Sequence, residues 1–167
     1  LAAPSLSDAT LLDKLGYLMQ RYALTPNSLI LEVTETMVMG DVEHSVGMLE
    51  RLRSKGYRLS LDDFGTGYSS LSYLKRLTID ELKIDRSFVI ECANGGRDAA
   101  LASAIIALGH ELGLRIVAEG VETQAQSTFL LGHGCAVQQG FLFSRPVSPS
   151  DFEVMLRRGG IQSLQKA

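Results

Sequence analysis

The chain has 167 residues, of which 46% are hydrophobic, and a formal net charge of −3. It is therefore long enough for one domain with a buried core. Its net negative charge does not favour binding of a nucleic acid polymer. No basic run favours contact with a membrane surface, no apolar stretch reaches the roughly 20 residues that cross a bilayer, and no signal peptide opens the chain. We therefore expect a cytoplasmic protein, or the cytoplasmic portion of a larger one.

Helical and strand patterns alternate in the first half of the chain. A helix is predicted from Ser7 or Asp8 onward, and strands are predicted at 29–35 and 57–63. Between the strands, Asp41 can cap a second helix and Gly56 can end it. A short helix is predicted at 69–77. The apolar face of the first helix is expected to comprise Leu11, Leu15, Leu18 and Tyr22.

The second half repeats the alternation. Strands are predicted at 81–85, 115–119 and 136–139, with a longer helix at 97–113 between the first two. Thr123 and Gln126 form a capping box at the start of the next helix, and Ser148 with Pro149 starts the last one. Its inward-facing residues are expected to be Phe152, Met155 and Leu156. Cys92 and Cys135 form neither a disulfide framework nor a CxxC metal motif, which favours free thiols.

Repeated βα units of this kind indicate an α/β fold with a parallel sheet. Periodicity alone fits a β/α barrel, which needs eight strands and about 250 residues, and it fits an open doubly wound sheet as well. We count five clear strands.

Polar side chains stand at the ends of the predicted strands. Asp62 and Asp63 end the strand at 57–63, and a glycine-rich turn follows at once. Acids at the end of a buried strand need a neutralising charge, for which a metal ion is the obvious candidate. Because the C-terminal ends of parallel strands converge on one face, we expect the polar groups after other strands to join them there.

Five blocks of this sequence resemble the EAL-domain family of cyclic di-GMP phosphodiesterases, in the order and at the spacing of that family. The blocks are LEVTET at 31–36, DDFGTGYSS at 62–70, LKID at 82–85, AEGVET at 118–123 and QGFLFSRP at 139–146. The resemblance implies a single domain over 1–167 with a modified (β/α)8 barrel of the TIM type. It also implies that two divalent cations, Mg²⁺ or Mn²⁺, activate a water that opens cyclic di-GMP to linear pGpG.

The resemblance also assigns roles to residues. The expected metal ligands are Glu32, Asp62, Asp63 and Glu119. Among the expected catalytic residues, Lys83 orients or deprotonates the attacking water, and Gln139 contacts a second water or the substrate. Glu35 anchors the loop after the aspartate pair, and Glu122 supports Lys83.

The chemistry of the residues agrees with this assignment, since hard oxygen ligands suit Mg²⁺ and Mn²⁺ rather than zinc. Acids around Lys83 favour its cationic form, so an orienting and electrostatic role is favoured over that of a free general base. Residues 64–70 match a mobile loop of the family that couples dimer contacts to metal binding, which implies a homodimer.

The family's Glu-Ala-Leu motif is absent from the chain, and the family's asparagine ligand would fall immediately before residue 1. The first two strands and two metal ligands are therefore expected to be missing, either because the chain is part of a longer protein, with an upstream sensory or GGDEF-type domain, or because it is a truncated relic. Two alternatives to a phosphodiesterase stay open at this point. One is a module that binds cyclic di-GMP without cutting it, and the other is an inactive fragment that acts through dimerisation.

Overall fold

The structure is a computed structural model of the chain, and it describes residues 1, 6, 8, 10–66 and 71–158, without the side chains of residues 71 and 72. Its strands are β1 (Ile30–Thr34), β2 (Arg58–Phe64), β3 (Glu81–Ile84), β4 (Arg115–Ala118) and β5 (Val137–Gln138). Its helices are α1 (Leu11–Arg21), α2 (Glu35–Gly40), α3 (Val42–Ser54), α4 (Leu71–Leu74), α5 (Arg86–Val89), α6 (Gly96–Glu111), α7 (Gln124–Gly132) and α8 (Pro149–Arg157). Short 3₁₀ turns lie at Pro26–Ser28 and Cys92–Asn94.

The strand order decides between the two folds that periodicity left open. The five strands are hydrogen-bonded in the order β1-β2-β3-β4-β5, and β1 with β2 and β4 with β5 are parallel pairs. Arg115 N donates to Asp80 O at 3.0 Å and Glu119 N to Ile84 O at 3.1 Å, so β3 and β4 also run parallel. Sequential order without a reversal is that of consecutive strands in a β/α barrel, whereas a doubly wound sheet reverses at a switch point. The predicted fold class is confirmed.

Backbone contacts divide the chain into two compact units, and the division passes along β3 and β4. Unit 1 comprises Leu1–Lys83 and Gly109–Arg115, and unit 2 comprises Ile84–Leu108 and Ile116–Ala167. Each unit has its own buried side chains, and these come from both strands and helices. Fully buried in unit 1 are Val33, Leu49, Leu52, Leu59 and Leu82, and in unit 2 Ile84, Val89, Ile106, Val121 and Leu130.

Local signals placed the starts of three helices correctly. The side chain of Asp41 accepts from His44 N and caps α3, and Thr123 forms the capping box with Gln126 at α7. Ser148 caps α8, with Pro149 at its first position. Within the described residues, no helix combines the length and the apolarity that crossing a bilayer requires.

The apolar face predicted for α1 is partly wrong. Leu11 and Leu15 are buried, but the third buried residue is Met19, whereas Leu18 and Tyr22 are 41% and 62% exposed. The buried stripe follows i, i+4, i+8 spacing, and which edge of an apolar stripe is covered depends on the neighbouring elements.

The apolar face predicted for α8 is wrong for two of its three residues. Phe152 and Leu156 are 49% and 58% exposed, and Met155 is half-buried. None of the α8 side chains is buried among the described residues, so hydrophobic spacing alone did not identify a covered face here.

Both cysteines are free and fully buried. Burial raises the pKa of the Cys92 thiol, and it raises the pKa of Cys135 from 9.0 to about 11. Because the thiolate is the reactive form, both side chains are expected to be chemically inert in the folded protein.

Replacing Leu49 by alanine is expected to lower the free energy of unfolding by about 2–5 kcal/mol, because it opens a cavity in the core of unit 1. The matched change Leu18→Ala removes a leucine that is 41% exposed from another helix of the same unit, and should cost about 1 kcal/mol or less. Urea unfolding followed by circular dichroism measures both values. Equal losses would contradict the assignment of Leu18 to the exposed face.

Cys135 should make the stability of the protein depend on alkaline pH. Its thiol loses a proton more readily in the unfolded chain than in the folded one, so its contribution is complete below pH 9 and is lost as the pH rises towards 11. The free energy of unfolding of the wild type should therefore fall relative to that of Cys135→Ala across this interval. A difference that stays constant from pH 8 to 11 would disagree with the raised pKa.

Candidate active site

Carboxylates on β1 and β2 converge on the ammonium group of Lys83 in β3. Lys83 Nζ lies 3.0 Å from Glu32 Oε1 and 3.2 Å from Asp62 Oδ2. The side chain of Lys83 is only 7% exposed, while those of Asp62 and Glu32 are 19% and 49% exposed. An ammonium group so far from water needs partners of opposite charge, and the parallel strand ends provide two of them.

The backbone departs from ordinary strand geometry at Asp63, near the end of β2, and a turn over Asp63–Thr66 follows, in which Thr66 N donates to Asp63 O at 3.3 Å. Asp63 has a φ of +57°, in the left-handed region that non-glycine residues seldom occupy. Asp63 N donates to Asp62 Oδ1 at 3.0 Å, and the hydroxyl of Thr66 donates to Asp63 O at 2.8 Å. Strained backbone of this kind costs about 1–3 kcal/mol and clusters at functional sites. The aspartate pair predicted as ligands therefore lies near the end of β2, where the backbone is strained at Asp63.

Glu35 holds the loop that follows this turn. Its side chain is buried, and its Oε2 accepts a 3.0 Å hydrogen bond from Gly65 N. The predicted strand at 29–35 extends one residue beyond β1 at each end: β1 begins at Ile30 and ends at Thr34, whose hydroxyl accepts from Met37 N and caps α2. Glu35 is thus the first residue of a short helix that the sequence analysis did not predict.

The remaining predicted site residues lie in unit 2 and line one cavity of about 230 Å³, named here the Arg86 cavity. Its lining residues are Arg86, Glu119, Gly120, Glu122, Gln139, Gly140 and Phe141. Backbone bonds fix its frame: Gln139 N donates to Ala118 O at 2.8 Å, and Val121 N donates to Gln139 O at 3.0 Å. Glu119 and Gln139 therefore follow directly on the neighbouring strands β4 and β5.

Glu122 pairs with a residue that the sequence analysis did not consider. Its Oε1 lies 2.8 Å from Nη2 of Arg86, the first residue of α5. The expected support of Lys83 by Glu122 stays a prediction. The available signal for Arg86 was a basic residue immediately after the LKID block, but sequence alone does not show which acid it meets.

The donor set of unit 1 fits a hard divalent cation, because Glu32 and Asp62 direct carboxylate oxygens at one positive charge. Among the residues that the structure describes, no group of three or more His, Cys, Asp or Glu side chains is arranged to hold a metal ion. The roles of Asp63 and Glu119 as further ligands stay predictions.

Comparison with known proteins identifies the family. The model of the EAL domain matches residues 1–146, and the chain belongs to the EAL domain family. It is 53% identical over 147 residues to MucR of Pseudomonas aeruginosa, a bifunctional diguanylate cyclase/cyclic di-GMP phosphodiesterase, covering 88% of this chain and 22% of MucR. The chain thus spans about a fifth of the length of that relative.

Solved structures agree with the family and with the TIM-barrel type of fold. The PaMucR phosphodiesterase in complex with c-di-GMP aligns with a TM-score of 0.86 at 51% identity, covering 91% of this chain and 62% of that one. BlrP1 of Klebsiella pneumoniae, in a manganese/cy-diGMP complex, aligns with a TM-score of 0.79 at 35% identity, covering 85% of this chain and 36% of that one.

Glu35→Ala should destabilise the protein by about 1–3 kcal/mol, because it leaves Gly65 N without its carboxylate partner in a partly buried site. Glu35→Gln keeps an acceptor oxygen and should cost less. Glu43→Ala is the control, since that side chain is 79% exposed and pairs with Arg76 at the surface. Urea unfolding gives the three values, and equal costs for Glu35→Ala and Glu43→Ala would count against the anchoring role.

Proposed function

We propose that this domain hydrolyses a phosphodiester bond of cyclic di-GMP to give linear pGpG, with the help of divalent cations. The observation that carries the proposal is the convergence of Glu32 and Asp62 on buried Lys83 in a chain of the EAL family. The name of MucR and the c-di-GMP complex of PaMucR support the choice of substrate.

Two cations, Mg²⁺ or Mn²⁺, would be held by the four carboxylates of Glu32, Asp62, Asp63 and Glu119. The manganese named in the BlrP1 complex supports a divalent cation of this type. Such ions lower the pKa of bound water and stabilise the attacking and leaving oxygens of a phosphodiester.

The chain's own residues have distinct tasks in this proposal. A cluster of carboxylates repels an anionic phosphodiester, and the charge of Lys83 between Glu32 and Asp62 offsets part of that repulsion. The same ammonium is a donor that can orient the attacking water. Gln139, at the end of β5, offers an amide to a water or to the substrate, and Glu35 holds the loop beside the aspartate pair.

One observation favours a second candidate function, namely binding of cyclic di-GMP without hydrolysis. Glu32 and Asp62 are already paired with one cationic side chain, which offsets one of their two negative charges without a metal ion. The experiments below distinguish the two functions.

Partners beyond the substrate follow from the resemblance. The bifunctional name of MucR supports a cyclase domain alongside this one in a longer protein. A homodimer and a cytoplasmic location stay predictions, and the expected coupling loop at 64–70 lies partly outside the described residues.

In the natural full-length protein that contains this sequence, Glu32→Ala and Asp62→Ala should each lower the rate of pGpG formation roughly 10³-fold. Each change removes a carboxylate that pairs with Lys83 and would bind a cation, and a bound cation stabilises the charge of the transition state by several kcal/mol. Rates are measured by chromatography with Mg²⁺, with Mn²⁺ and with excess chelator, which should abolish turnover. Glu153→Ala, at an exposed pair on α8, is the control and should leave the rate unchanged. An unaltered rate in either site variant would refute the assignment.

Calorimetry with cyclic di-GMP separates hydrolysis from binding alone. Binding without any pGpG in the presence of either metal supports the second candidate, while the absence of both binding and turnover contradicts both functions.

A further inference from the structure

The segment between β4 and α7, which carries Glu119 and Glu122, is tied to the short helix α5 at two points. At the start of α5, Arg86 Nη2 lies 2.8 Å from Glu122 Oε1. At its end, the carbonyl oxygen of Ile90 accepts a 2.9 Å hydrogen bond from Gln126 Nε2. Both contacts join residues 36 positions apart in the chain.

The side chain of Gln126, which makes the second contact, also bonds the backbone of this segment. Its Oε1 accepts from Glu122 N at 2.8 Å and from Thr123 N at 2.9 Å, and its side chain is buried. The backbone on the α7 side of Glu122 is therefore fixed without any help from Arg86. The stretch from Glu119 to Val121 is also bonded through its backbone, because Glu119 N donates to Ile84 O at 3.1 Å and Val121 N donates to Gln139 O at 3.0 Å, and Arg86 adds side-chain contacts to it.

That stretch is covered by the stem of Arg86. Gly120 has a φ of +68°, and a Cβ built on it would overlap Arg86 Cγ and lie 2.8 Å from the Cβ and Cδ of Arg86. The aliphatic part of Arg86 thus occupies the space that a side chain at position 120 would need. The arginine crosses the backbone next to Glu119 before its guanidinium reaches Glu122.

Stability does not explain this arrangement. The side chains of Arg86 and Glu122 are 57% and 42% exposed, and exposed ion pairs contribute little to folding. The pair lies instead at the wall of the Arg86 cavity, together with Glu119 and Gln139. Side chains that contact a ligating residue from behind fix its orientation and tune its affinity for the metal.

We propose that Arg86 is a positioning residue, which holds the Glu119–Glu122 segment by packing its stem on Gly120 and pairing its guanidinium with Glu122. This places the carboxylate of Glu119 for cation binding, and in that respect it rests on the proposed function. Arg86 itself contacts neither the cation nor the reacting phosphodiester.

The test compares Arg86→Ala, Arg86→Met and Arg86→Lys in the natural full-length protein. Arg86→Ala should weaken Mn²⁺ binding about 10- to 100-fold in a calorimetric titration, as loss of such supporting contacts does. It should lower kcat with little change in KM, and it should speed amide hydrogen exchange over 119–122 in the absence of metal. Arg86→Lys keeps the aliphatic stem and the positive charge, so it should recover most of the Mn²⁺ affinity, kcat and exchange protection that Arg86→Ala loses. Arg86→Met keeps only the stem, so its values should lie between those of Arg86→Ala and Arg86→Lys.

Arg157→Ala is the matched control, because it removes an arginine from another exposed ion pair of unit 2, with Glu153 on α8. It should leave exchange, Mn²⁺ binding and turnover unchanged. Should Arg86→Ala fail to fold, Arg86→Met, which keeps the packing on Gly120, decides the question by the same readouts.

Two results would overturn the proposal. One is unchanged Mn²⁺ affinity and unchanged exchange over 119–122. The other is a rise in KM alone, which would make Arg86 a direct contact of the substrate. If the wild type shows no hydrolysis at all, the proposed function fails, but exchange and Mn²⁺ titration still report on Arg86 independently.

Discussion

The burial of one ammonium group is the constraint around which unit 1 is arranged. Lys83 lies in β3 with its side chain almost entirely out of water, and it is tolerated there because Glu32 and Asp62 lie within 3.2 Å. The register of β1 on β2 pairs Thr34 with Asp62 and ends both strands at the same edge. A shift by one residue would turn the carboxylates to the opposite face. Strand register and site are therefore parts of one arrangement.

In both units, a buried polar side chain fixes the loop that follows a strand. Glu35 accepts from Gly65 N after β2, and Gln126 accepts from Glu122 N and Thr123 N after β4. Each of these loops would otherwise leave backbone donors unsatisfied near the sheet. Because these loops adjoin or carry the acids at the strand ends, satisfying the backbone also limits where those acids can lie. Such fixed placement is what a site for charged ligands needs before the ligand arrives.

Much of this architecture could be predicted from short-range patterns. Strand positions, the caps at Asp41, Thr123 and Ser148, and the five family blocks depend on residues only a few positions apart. The errors have equally physical causes. Thr34 caps a helix within the segment predicted as a strand, so Glu35 belongs to α2 and not to β1. Leu18 and Tyr22 extend the apolar stripe of α1, but no neighbouring element that the structure describes buries that edge of it. Helix spacing shows that a stripe exists, but it does not show how wide a face the neighbours bury.

The sequence by itself determined the fold class, the family, and the acids that stand at the strand ends, because hydrophobic period, turn residues and motif blocks are local properties of the chain. Only the tertiary structure decided which charges meet: Glu122 with Arg86, Lys83 with Glu32 and Asp62, and buried Glu81 with Arg115 and the hydroxyl of Ser60. These partners are 21 to 51 positions apart. Ion pairs and hydrogen bonds act over a few ångströms of space, and the packing of strands and helices alone determines which distant residues come within that range.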